Sequence, residues 1–304
     1  MKNKTLVIGP VTKDVIIKKD DKYNQIGGAV YYQTNTLTQL NIPTTAIITI
    51  GKNDLELVDN FTNINNVKKI ITNNTMEYIN IYDENNVRTQ KAKWYNNSIT
   101  LEKFEELNIN LKEYKTAIFS PLSPQDISYE LIKYIKKQDL ETVLVMQGYL
   151  REINENNEIQ ENKLKNPKKI LEYIDIISLD DNEMKIAFNL KEITTLKIQK
   201  IMEKYNLKII IMTKGEQGSM IYTKNDSIEI PIIKSKREVD FTGLGDTYIA
   251  SFIAKKYDTD SNRIAAYFAS IISSHKLETK GPVKINRNIA EKELEEIIKL
   301  HSLI

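Results

Sequence analysis

Cysteine is absent from the 304-residue chain, and histidine occurs only at His275 and His301. Without cysteine the chain forms no disulfides, no thiolate zinc sites and no cysteine nucleophile. Because both histidines lie late in the chain, a histidine-based metal site and a Ser-His-Asp triad are both disfavoured. The absence of disulfides agrees with a cytoplasmic location, which is the location we expect.

The chain also lacks an excess of charge and a long apolar run. Lys and Arg number 43 against 41 Asp and Glu, and the net charge of +2 gives no overall attraction to nucleic acid or to anionic membrane. The first apolar run stops at Gly9-Pro10, too short for a signal-peptide core, and no run reaches the length of a membrane span. We expect a small-molecule substrate and neither nucleic-acid nor membrane partners.

Strands alternate with helices through most of the sequence. This order predicts an α/β fold with a doubly wound, mostly parallel sheet flanked by helices, in which ligands bind beyond the carboxyl ends of the strands. We expect one such domain over residues 1–304. Apolar runs predict strands at 5–8, 44–50, 116–119, 142–146, 174–179, 208–213, 219–222 and 227–232, and helices at 29–40, 127–137, 167–173, 182–189, 194–205, 245–256, 261–277 and 290–301.

One segment departs from this order. Residues 74–82 alternate polar and apolar side chains, a turn follows at 83–86, and a second alternating stretch begins at Val87. Alternation of this kind predicts a β-hairpin. We expect it to form a small accessory sheet.

Glycine is scarce, and its distribution is informative. Six of the ten glycines form three clusters, at Gly27-Gly28, at Gly215 and Gly218, and at Gly243 and Gly245. Clustered glycines indicate positive φ angles or a backbone that approaches a ligand closely. Taken singly, each cluster is equally well explained as a turn.

The third cluster lies in residues 240–247, DFTGLGDT, just before a predicted helix. Free N–H groups and the helix dipole at such a start attract anions. Asp246 in this position either caps the helix or accepts a proton from a hydroxyl that attacks a bound phosphoryl group.

The pattern Asp-x-Thr-Gly-x-Gly-Asp at 240–246 resembles the signature of the ribokinase/PfkB carbohydrate kinases, some of which are inositol kinases. The other glycine clusters stand where that family has its other motifs, and the resemblance covers about residues 4–285. It implies a ribokinase-like fold with a small β lid formed mainly by about 15–26 and 74–93. It also implies an ATP-dependent phosphotransferase with an alcohol acceptor, with Asp246 as base and Gly243, Leu244 and Gly245 as the anion hole.

The resemblance also implies substrate contacts. Asp14, with Thr12 nearby, follows the first strand, where the family's aspartate bonds substrate hydroxyls. Gly27, Gly28 and Tyr32 belong to the family's first motif, although core packing of Tyr31 and Tyr32 is equally open. Residues 146–151 are similar to a stretch of the inositol-kinase-like branch, which makes Gln147 a candidate for contact with the substrate and Arg151 a candidate for contact with a phosphate. Both are equally well explained as ordinary loop residues.

Nucleotide and ion contacts are implied in the same way. Thr213, Gly215 and Gly218 match a Thr-x-Gly-x-x-Gly turn that contacts the nucleotide. Asp180 and Glu183 match, with Asp in place of Asn, a pattern linked to Mg²⁺ through water, although they also suit a helix start. Oxygens near Asp240 and Thr242 hold a monovalent cation such as K⁺ in relatives. Arg88 and Lys91 lie on the predicted lid.

Some positions depart from the family pattern, and they bear on the acceptor. Leu244 and Phe241 replace small residues, and residues 51–54 keep only part of a family motif. The leading expectation is a kinase for a small polyol, sugar or inositol. A nucleoside kinase remains open, because Tyr31 and Tyr32 suit base stacking.

Three further alternatives remain beside these. A phosphosugar kinase would use Lys13, Arg88 and Arg151. A catalytically silent ligand-binding regulator is favoured by Leu244 and opposed by Asp246. A dinucleotide oxidoreductase is disfavoured, because the first strand is not followed by Gly-x-Gly-x-x-Gly. The sequence leaves open a monomer or a homodimer formed through the lid.

Overall fold

The computed structural model describes residues 3–18, 21–82, 84 and 88–301. In these ranges the strands are β1 (Lys4–Pro10), β2 (Thr12–Lys18), β3 (Asp21–Gly27), β4 (Thr44–Gly51), β5 (Val67–Thr72), β6 (Met76–Tyr82), β7 (Arg88–Lys93), β8 (Tyr114–Phe119), β9 (Glu141–Val145), β10 (Arg151–Ile153), β11 (Ile159–Glu161), β12 (Ile176–Asp180), β13 (Ile209–Thr213), β14 (Ser219–Thr223) and β15 (Ser227–Ile230).

The α-helices of the same ranges are α1 (Ala29–Gln39), α2 (Leu101–Glu105), α3 (Tyr129–Lys136), α4 (Pro167–Leu171), α5 (Asp181–Phe188), α6 (Thr195–Tyr205), α7 (Leu244–Lys256), α8 (Asn262–Leu277) and α9 (Arg287–His301). No helix in the described part of the chain is long and apolar enough to cross a membrane.

The central sheet of the described residues has nine strands in the order β15-β14-β13-β12-β9-β8-β1-β4-β5. The strands from β13 to β5 are parallel, and β14 and β15 are antiparallel at one edge. From β1 the chain first builds outward through β4 and β5 and then returns to β8 on the other side. Ligands bind beside such a reversal, at the carboxyl ends of the strands. The predicted doubly wound, mostly parallel sheet is confirmed.

Helices cover both faces of this sheet, because side chains of each buried strand alternate between two apolar layers. On β1, Val7 packs in the layer that contains residues of α1, α7 and α8, while Leu6 and Ile8 pack in the layer that contains residues of α3 and α6. The strands therefore form the rigid centre on which the site is built.

A separate sheet of the described residues has the order β3-β2-β6-β7. Its strand β2 follows β1 after a single residue, Val11, and pairs in parallel with β6. The expected accessory sheet is thus present, and it includes most of residues 15–26. The predicted turn at 83–86, apart from Glu84, and the predicted strand start at Val87 lie outside the described residues.

Some elements were not predicted, and in each of them the local sequence pattern is weak. β5 carries exposed Lys68 and Lys69 at an edge of the sheet, so its sequence does not alternate as a half-buried strand does. β10 and β11 have three residues each, and α2 has five. β10 and β11 pair with each other over three residues, and α2 has little more than one turn, so none of the three is long enough to show a periodic pattern.

Candidate functional site

A cavity of about 290 Å³ lies at the carboxyl ends of the parallel strands, beneath the four-stranded sheet. It brings together most of the site residues that the sequence predicts. Those in its lining are Thr12, Asp14, Gly28, Tyr32, Gln147, Asp180, Glu183, Thr213, Thr242, Gly243, Leu244, Gly245 and Asp246. Four predicted residues are not part of the lining, namely Gly27, Gly215, Gly218 and Asp240.

The first turn of α7 forms one wall of the cavity. Gly243 precedes the helix with φ of 76°, a left-handed conformation that favours glycine. The N–H of Leu244 approaches the carbonyl of Phe241 at 3.4 Å, and the N–H of Thr247 bonds the carbonyl of Gly243 at 2.8 Å. Between them, the N–H groups of Gly245 and Asp246 donate to no acceptor within the described ranges. Such unpaired donors suit an anion.

Asp246 is held by a chain of hydrogen bonds that ends inside the protein. Gln33 Nε2 donates to Asp246 Oδ1 at 3.1 Å, and Ser120 Oγ donates to Gln33 Oε1 at 2.6 Å. Gln33 and Ser120 are fully buried. Burial raises the pKa of Asp246 to about 6, while the Gln33 hydrogen bond and the positive charge of Arg151 act in the opposite direction. A carboxylate with such a pKa is suited to accept a proton near neutral pH.

Asp14 lies on β2, opposite the wall formed by α7. Thr12 Oγ1 donates to Asp14 Oδ1 at 2.6 Å. Gly27 pairs with Thr12 on the neighbouring strand, and a Cβ at Gly27 would lie 2.3 Å from Asp14 Oδ2. Gly28 has φ of 104°, and a Cβ there would lie 2.5 Å from the carbonyl oxygen of Pro10. The Gly-Gly pair therefore leaves room for Asp14 and starts α1 close to β1.

The two tyrosines of α1 have different surroundings. Tyr31 packs edge-on against Phe61 and Tyr32 with ring centroids 5.4 and 5.2 Å apart, and it is part of the core. Tyr32 lines the cavity and lies over Gly243, where an added Cβ would be 2.4 Å from the ring. Of these two tyrosines, Tyr32 is therefore the one in a position to contact a ligand in the cavity.

The roof of the cavity consists of polar side chains from the four-stranded sheet. Asn80 and Gln90 are paired across β6 and β7, and Gln90 Nε2 donates to Asn80 Oδ1 at 2.8 Å. Arg151 is buried against Tyr78, with its Nη1 3.3 Å from the Tyr78 hydroxyl. The Tyr78 hydroxyl in turn donates to the carbonyl of Leu122 at 3.0 Å. Hydroxyl groups of a ligand would find donors and acceptors here.

Asp180 and Glu183 lie in the wall at the end of β12. They form a reciprocal cap at the start of α5, in which the Glu183 N–H donates to Asp180 Oδ1 at 2.7 Å and the Asp180 N–H donates to Glu183 Oε2 at 2.9 Å. Burial raises the pKa values of both carboxyl groups, and the negative charge of Asp180 raises the pKa of Glu183 further. The pair thus starts a helix and also faces the cavity, so the two interpretations of the sequence are compatible.

Of the three residues predicted to contact the nucleotide, one lies in the cavity and two lie in the turn after β13. Thr213 reaches the cavity, beside Asp180 in the parallel register. Gly215 and Gly218 have φ of 56° and 81° in the next turn, and a Cβ at Gly218 would lie 2.1 Å from the carbonyl oxygen of Ile230. Gly218 is therefore required by close backbone packing, and a Cβ at Gly215 would meet open space.

Asp240, predicted together with Thr242 to hold a monovalent cation, has a partner within the protein. The ammonium group of the buried Lys276 donates to the carbonyl oxygen of Asp240 at 2.9 Å and to its Oδ2 at 3.3 Å. Although burial alone would raise it, the pKa of Asp240 is lowered by hydrogen bonds from the Thr242 and Gly281 N–H groups and by Lys276. The Asp240 oxygens, at which the resemblance predicts a monovalent cation, thus already accept hydrogen bonds from a cationic group of the protein itself.

Other residues named from the sequence have structural partners. Lys13 forms ion pairs with Asp54 at 3.1 Å and Glu77 at 3.6 Å. Asp54 also accepts from Thr75 Oγ1 at 2.7 Å, so the partial motif at 51–54 joins β4 to the start of β6. Lys91 lies 3.8 Å from Glu158. The side chain of Arg88 lies outside the described residues, so of the three basic residues considered for a phosphosugar only Arg151 is found in the cavity lining.

Gln33 and Asn80 are the main residues that the sequence analysis missed. Gln33 lies about one helical turn beyond the Gly-Gly pair, on the face of α1 that is directed at Asp246. Asn80 is two residues after Tyr78 and so shares its face of β6. Both are buried polar side chains, a state that sequence alone does not reveal. In the described part of the chain, no group of three or more His, Cys, Asp and Glu side chains is placed to hold a metal ion.

Comparison with known proteins places these features in a family. The sequence model of the pfkB family carbohydrate kinases matches residues 35–287. A nucleoside kinase of Methanocaldococcus jannaschii is 36% identical over 117 residues, which cover 37% of this chain and 36% of the relative. The match thus spans about a third of the length of that curated relative.

Solved structures of low sequence identity share the fold. A pyrophosphate-dependent kinase in the ribokinase family, complexed with a pyrophosphate analog and myo-inositol, superposes with a TM-score of 0.77 at 22% identity, covering 94% of this chain and 99% of that one. Arabidopsis thaliana ribokinase, complexed with ribose and ATP, gives a TM-score of 0.77 at 17% identity, with 97% and 99% covered. The predicted ribokinase-like fold is confirmed.

The two glycines of the α7 turn should respond differently to a methyl group. Gly243→Ala combines a left-handed φ with overlap on Tyr32, so we expect it to lower the free energy of unfolding by about 2 kcal/mol or more. Gly245→Ala meets open space inside a helix, so we expect a change between none and a gain of about 1 kcal/mol. Urea unfolding measures both, and equal losses would contradict this description of the turn.

Ionised Asp246 should cost stability. The pKa of Asp246 is raised to about 6 by burial, whereas an unfolded aspartate titrates near 4. Protonation of Asp246 therefore stabilises the folded state fully below about pH 4, and this stabilisation is lost as the pH rises through about 6. We expect Asp246→Asn to have a higher Tm than the unaltered protein at pH 8, with the difference vanishing towards pH 4.

Thermal unfolding followed by circular dichroism from pH 4 to pH 8 measures this difference. Asp59→Asn, at an exposed position, is the matched control and should show no such pH dependence. A lower Tm for Asp246→Asn at pH 8 would refute the electrostatic account.

Proposed function

Because the chain belongs to the pfkB family of carbohydrate kinases, we propose that it transfers the γ-phosphoryl group of ATP to a hydroxyl of a small polyol, sugar or inositol. One observation carries the proposal. The Asp246 carboxylate and the unpaired N–H groups of Gly245 and Asp246 share one wall of a cavity whose other walls carry many polar side chains. A proton acceptor and an anion site are thus adjacent, as phosphoryl transfer requires.

The acceptor binds between Asp14 and Asp246 in this proposal. Asp14 accepts hydrogen bonds from its hydroxyl groups, and the roof residues Asn80 and Gln90 bind others. The reacting hydroxyl loses its proton to Asp246 as its oxygen forms a bond to the γ-phosphorus. The bond from that phosphorus to the bridging oxygen breaks at the same time, and ADP leaves with the electron pair.

The wall residues stabilise the charge of the transferred group. The N–H groups at the start of α7 and the positive end of the helix dipole face the place where negative charge accumulates. Arg151, also in the cavity lining, adds a full positive charge. Mg²⁺ bound with the donor neutralises phosphate charge, and Asp180 and Glu183 are the residues that would hold it through water.

The four-stranded sheet acts as the lid of this site in our proposal. It supplies Asn80, Gln90 and Tyr78 to the roof, and it closes the cavity from the side opposite the central sheet. Exclusion of water by such a roof favours transfer to the acceptor over hydrolysis of the donor.

The size and polarity of the cavity favour a small acceptor over a nucleoside. Its volume of about 290 Å³ is at the lower limit for ligand sites, and the donor phosphates must share it. Leu244 further narrows the wall beside Asp246. Tyr31 does not line the cavity, so of the two adjacent tyrosines only Tyr32 offers a ring on which a base could stack. A nucleoside remains the second candidate, because the similar kinase of Methanocaldococcus jannaschii bears that name.

An exposed apolar surface near α7 favours a nucleotide donor. Phe241, at the cavity rim, is 63% exposed, and Val239, two residues earlier, is 51% exposed. An adenine ring would cover such side chains, whereas pyrophosphate would leave them in water. Because one protein of this fold is a pyrophosphate-dependent kinase, both donors belong in the test.

A panel assay tests the function. Purified protein with Mg²⁺ is given ATP or pyrophosphate together with myo-inositol, ribose, other sugars or nucleosides, and product phosphate ester is measured. We expect ester formation from ATP with a small polyol, a loss of about 10²–10⁴ in kcat for Asp246→Asn, and kcat/KM that falls below about pH 6.

Binding of donor and acceptor by calorimetry separates the alternatives. A protein that binds acceptor but forms no ester with either donor is a silent binder. Turnover that is the same in Asp246→Asn would remove Asp246 from the role of base.

Gln33 gives a second test, as a positioning residue. Gln33→Leu removes the N–H group that lowers the pKa of Asp246, so we expect the acidic limb of the pH–rate profile to move to higher pH. We also expect kcat to fall by about tenfold or more, since the carboxylate loses its fixed orientation. Gln39→Leu, at the far end of the same helix, is the control and should leave the profile unchanged. An unmoved limb in Gln33→Leu would show that Gln33 only fills space.

A further inference from the structure

Lys276, in the last turn of α8, has an unusual environment for a lysine. Its side chain is fully buried. Its Nζ lies 2.9 Å from the Asp240 carbonyl oxygen, 3.3 Å from Asp240 Oδ2 and 3.3 Å from the Thr279 carbonyl oxygen. An ammonium group has three N–H donors, and each of these oxygens can take one. The ring of Tyr32 lies 5.9 Å away and offers its negative face.

The ammonium group belongs to a network that reaches the anion site. Asp240 Oδ1 accepts from the Thr242 N–H at 2.9 Å, and Oδ2 accepts from the Gly281 N–H at 3.1 Å. Thr242 immediately precedes Gly243, whose left-handed conformation starts α7. The charge of Lys276 therefore fixes Asp240, and Asp240 fixes the backbone that leads to the N–H groups of the anion site.

We propose that the Lys276 ammonium takes the place of a monovalent cation at the Asp240 oxygens, so that the turn of residues 240–246 is held in its binding conformation without K⁺. The resemblance to carbohydrate kinases predicts a cation from solution at these oxygens, and this chain supplies one covalently. Asp240 Oδ2 already accepts from Lys276 and from the Gly281 N–H, which uses both of its lone pairs, and the Asp240 carbonyl oxygen already faces the ammonium group at 2.9 Å. A second cation would therefore meet oxygens that the ammonium group already contacts. Like charge at this separation and burial also opposes its entry.

Lys276 acts through Asp240 and the turn, so it is a positioning residue. Its effect is therefore expected on catalysis and donor binding, and in the unaltered protein neither depends on the identity of the monovalent cation. Cation dependence should appear only when the ammonium group is removed and space is left for an ion.

The experiment compares the unaltered protein with two variants in tetramethylammonium, sodium and potassium chloride at constant ionic strength. We expect the rates of the unaltered protein to agree within about twofold, since no cation binding is linked to activity. Lys276→Ala opens a space for an ion, and we expect its rate to fall by about tenfold or more in tetramethylammonium and to recover in K⁺. Lys276→Met fills the space with an uncharged chain and should not recover.

Lys255→Met is the matched control. Lys255 is also largely buried and is paired with a carboxylate, Glu291, at 2.6 Å, but it lies at the opposite end of α7 from the turn. Its variant should remain indifferent to the cation. Recovery in K⁺ that is specific to Lys276→Ala would distinguish replacement of a cation from general loss of a buried charge.

Thermal unfolding in the same salts keeps this test separate from the kinase assay. We expect K⁺ to raise the Tm of Lys276→Ala relative to tetramethylammonium and to leave the Tm of the unaltered protein unchanged, whether or not an acceptor has been found. Specific activation or stabilisation of the unaltered protein by K⁺ would overturn the proposal. So would a Lys276→Ala variant that folds and is fully active without K⁺.

Discussion

Helix α1 packs against the first turn of α7 with no side chain between the ring of Tyr32 and the backbone of Gly243. This contact brings the Gln33 amide to Asp246 and the Gly27-Gly28 turn to the side of Asp14. A residue with a side chain at 243 would push the two helices apart and move both carboxylates. The Gly27-Gly28 pair and Gly243, which are distant in sequence, are thus both needed for the contact between α1 and α7, and this contact shapes the cavity.

The position of the cavity could be predicted from the sequence, but the hydrogen-bond and ion-pair partners of its two key carboxylates could not. Gly243 and Asp246 stand together in the chain, so a local pattern shows an anion site with a carboxylate beside it. The strand ends that carry Gln147, Asp180 and Thr213 meet because parallel strands share an edge. The partners of Asp240 and Asp246 are different, since Lys276 and Gln33 approach from helices far away in sequence and only burial identifies them.

Burial of charge around this site has opposing effects. The interior raises the pKa of Asp246, which makes the carboxylate a better base and also strains the folded state at neutral pH. Asp240 is also partly buried, yet its pKa is lowered, because Lys276 and two N–H groups compensate its charge. The charge of Asp240, which holds the backbone, is thus compensated, whereas the charge of Asp246, which faces the acceptor, is compensated only in part.

The single residue between β1 and β2 has a mechanical consequence. Asp14 belongs to β2 and so to the four-stranded sheet, although it lies beside the end of β1. Any swing of that sheet away from the central strands carries Asp14, Asn80 and Gln90 together. Opening of the cavity and release of its ligand are therefore coupled. A movement of the sheet that opens the entrance also removes the side chains that bind the ligand.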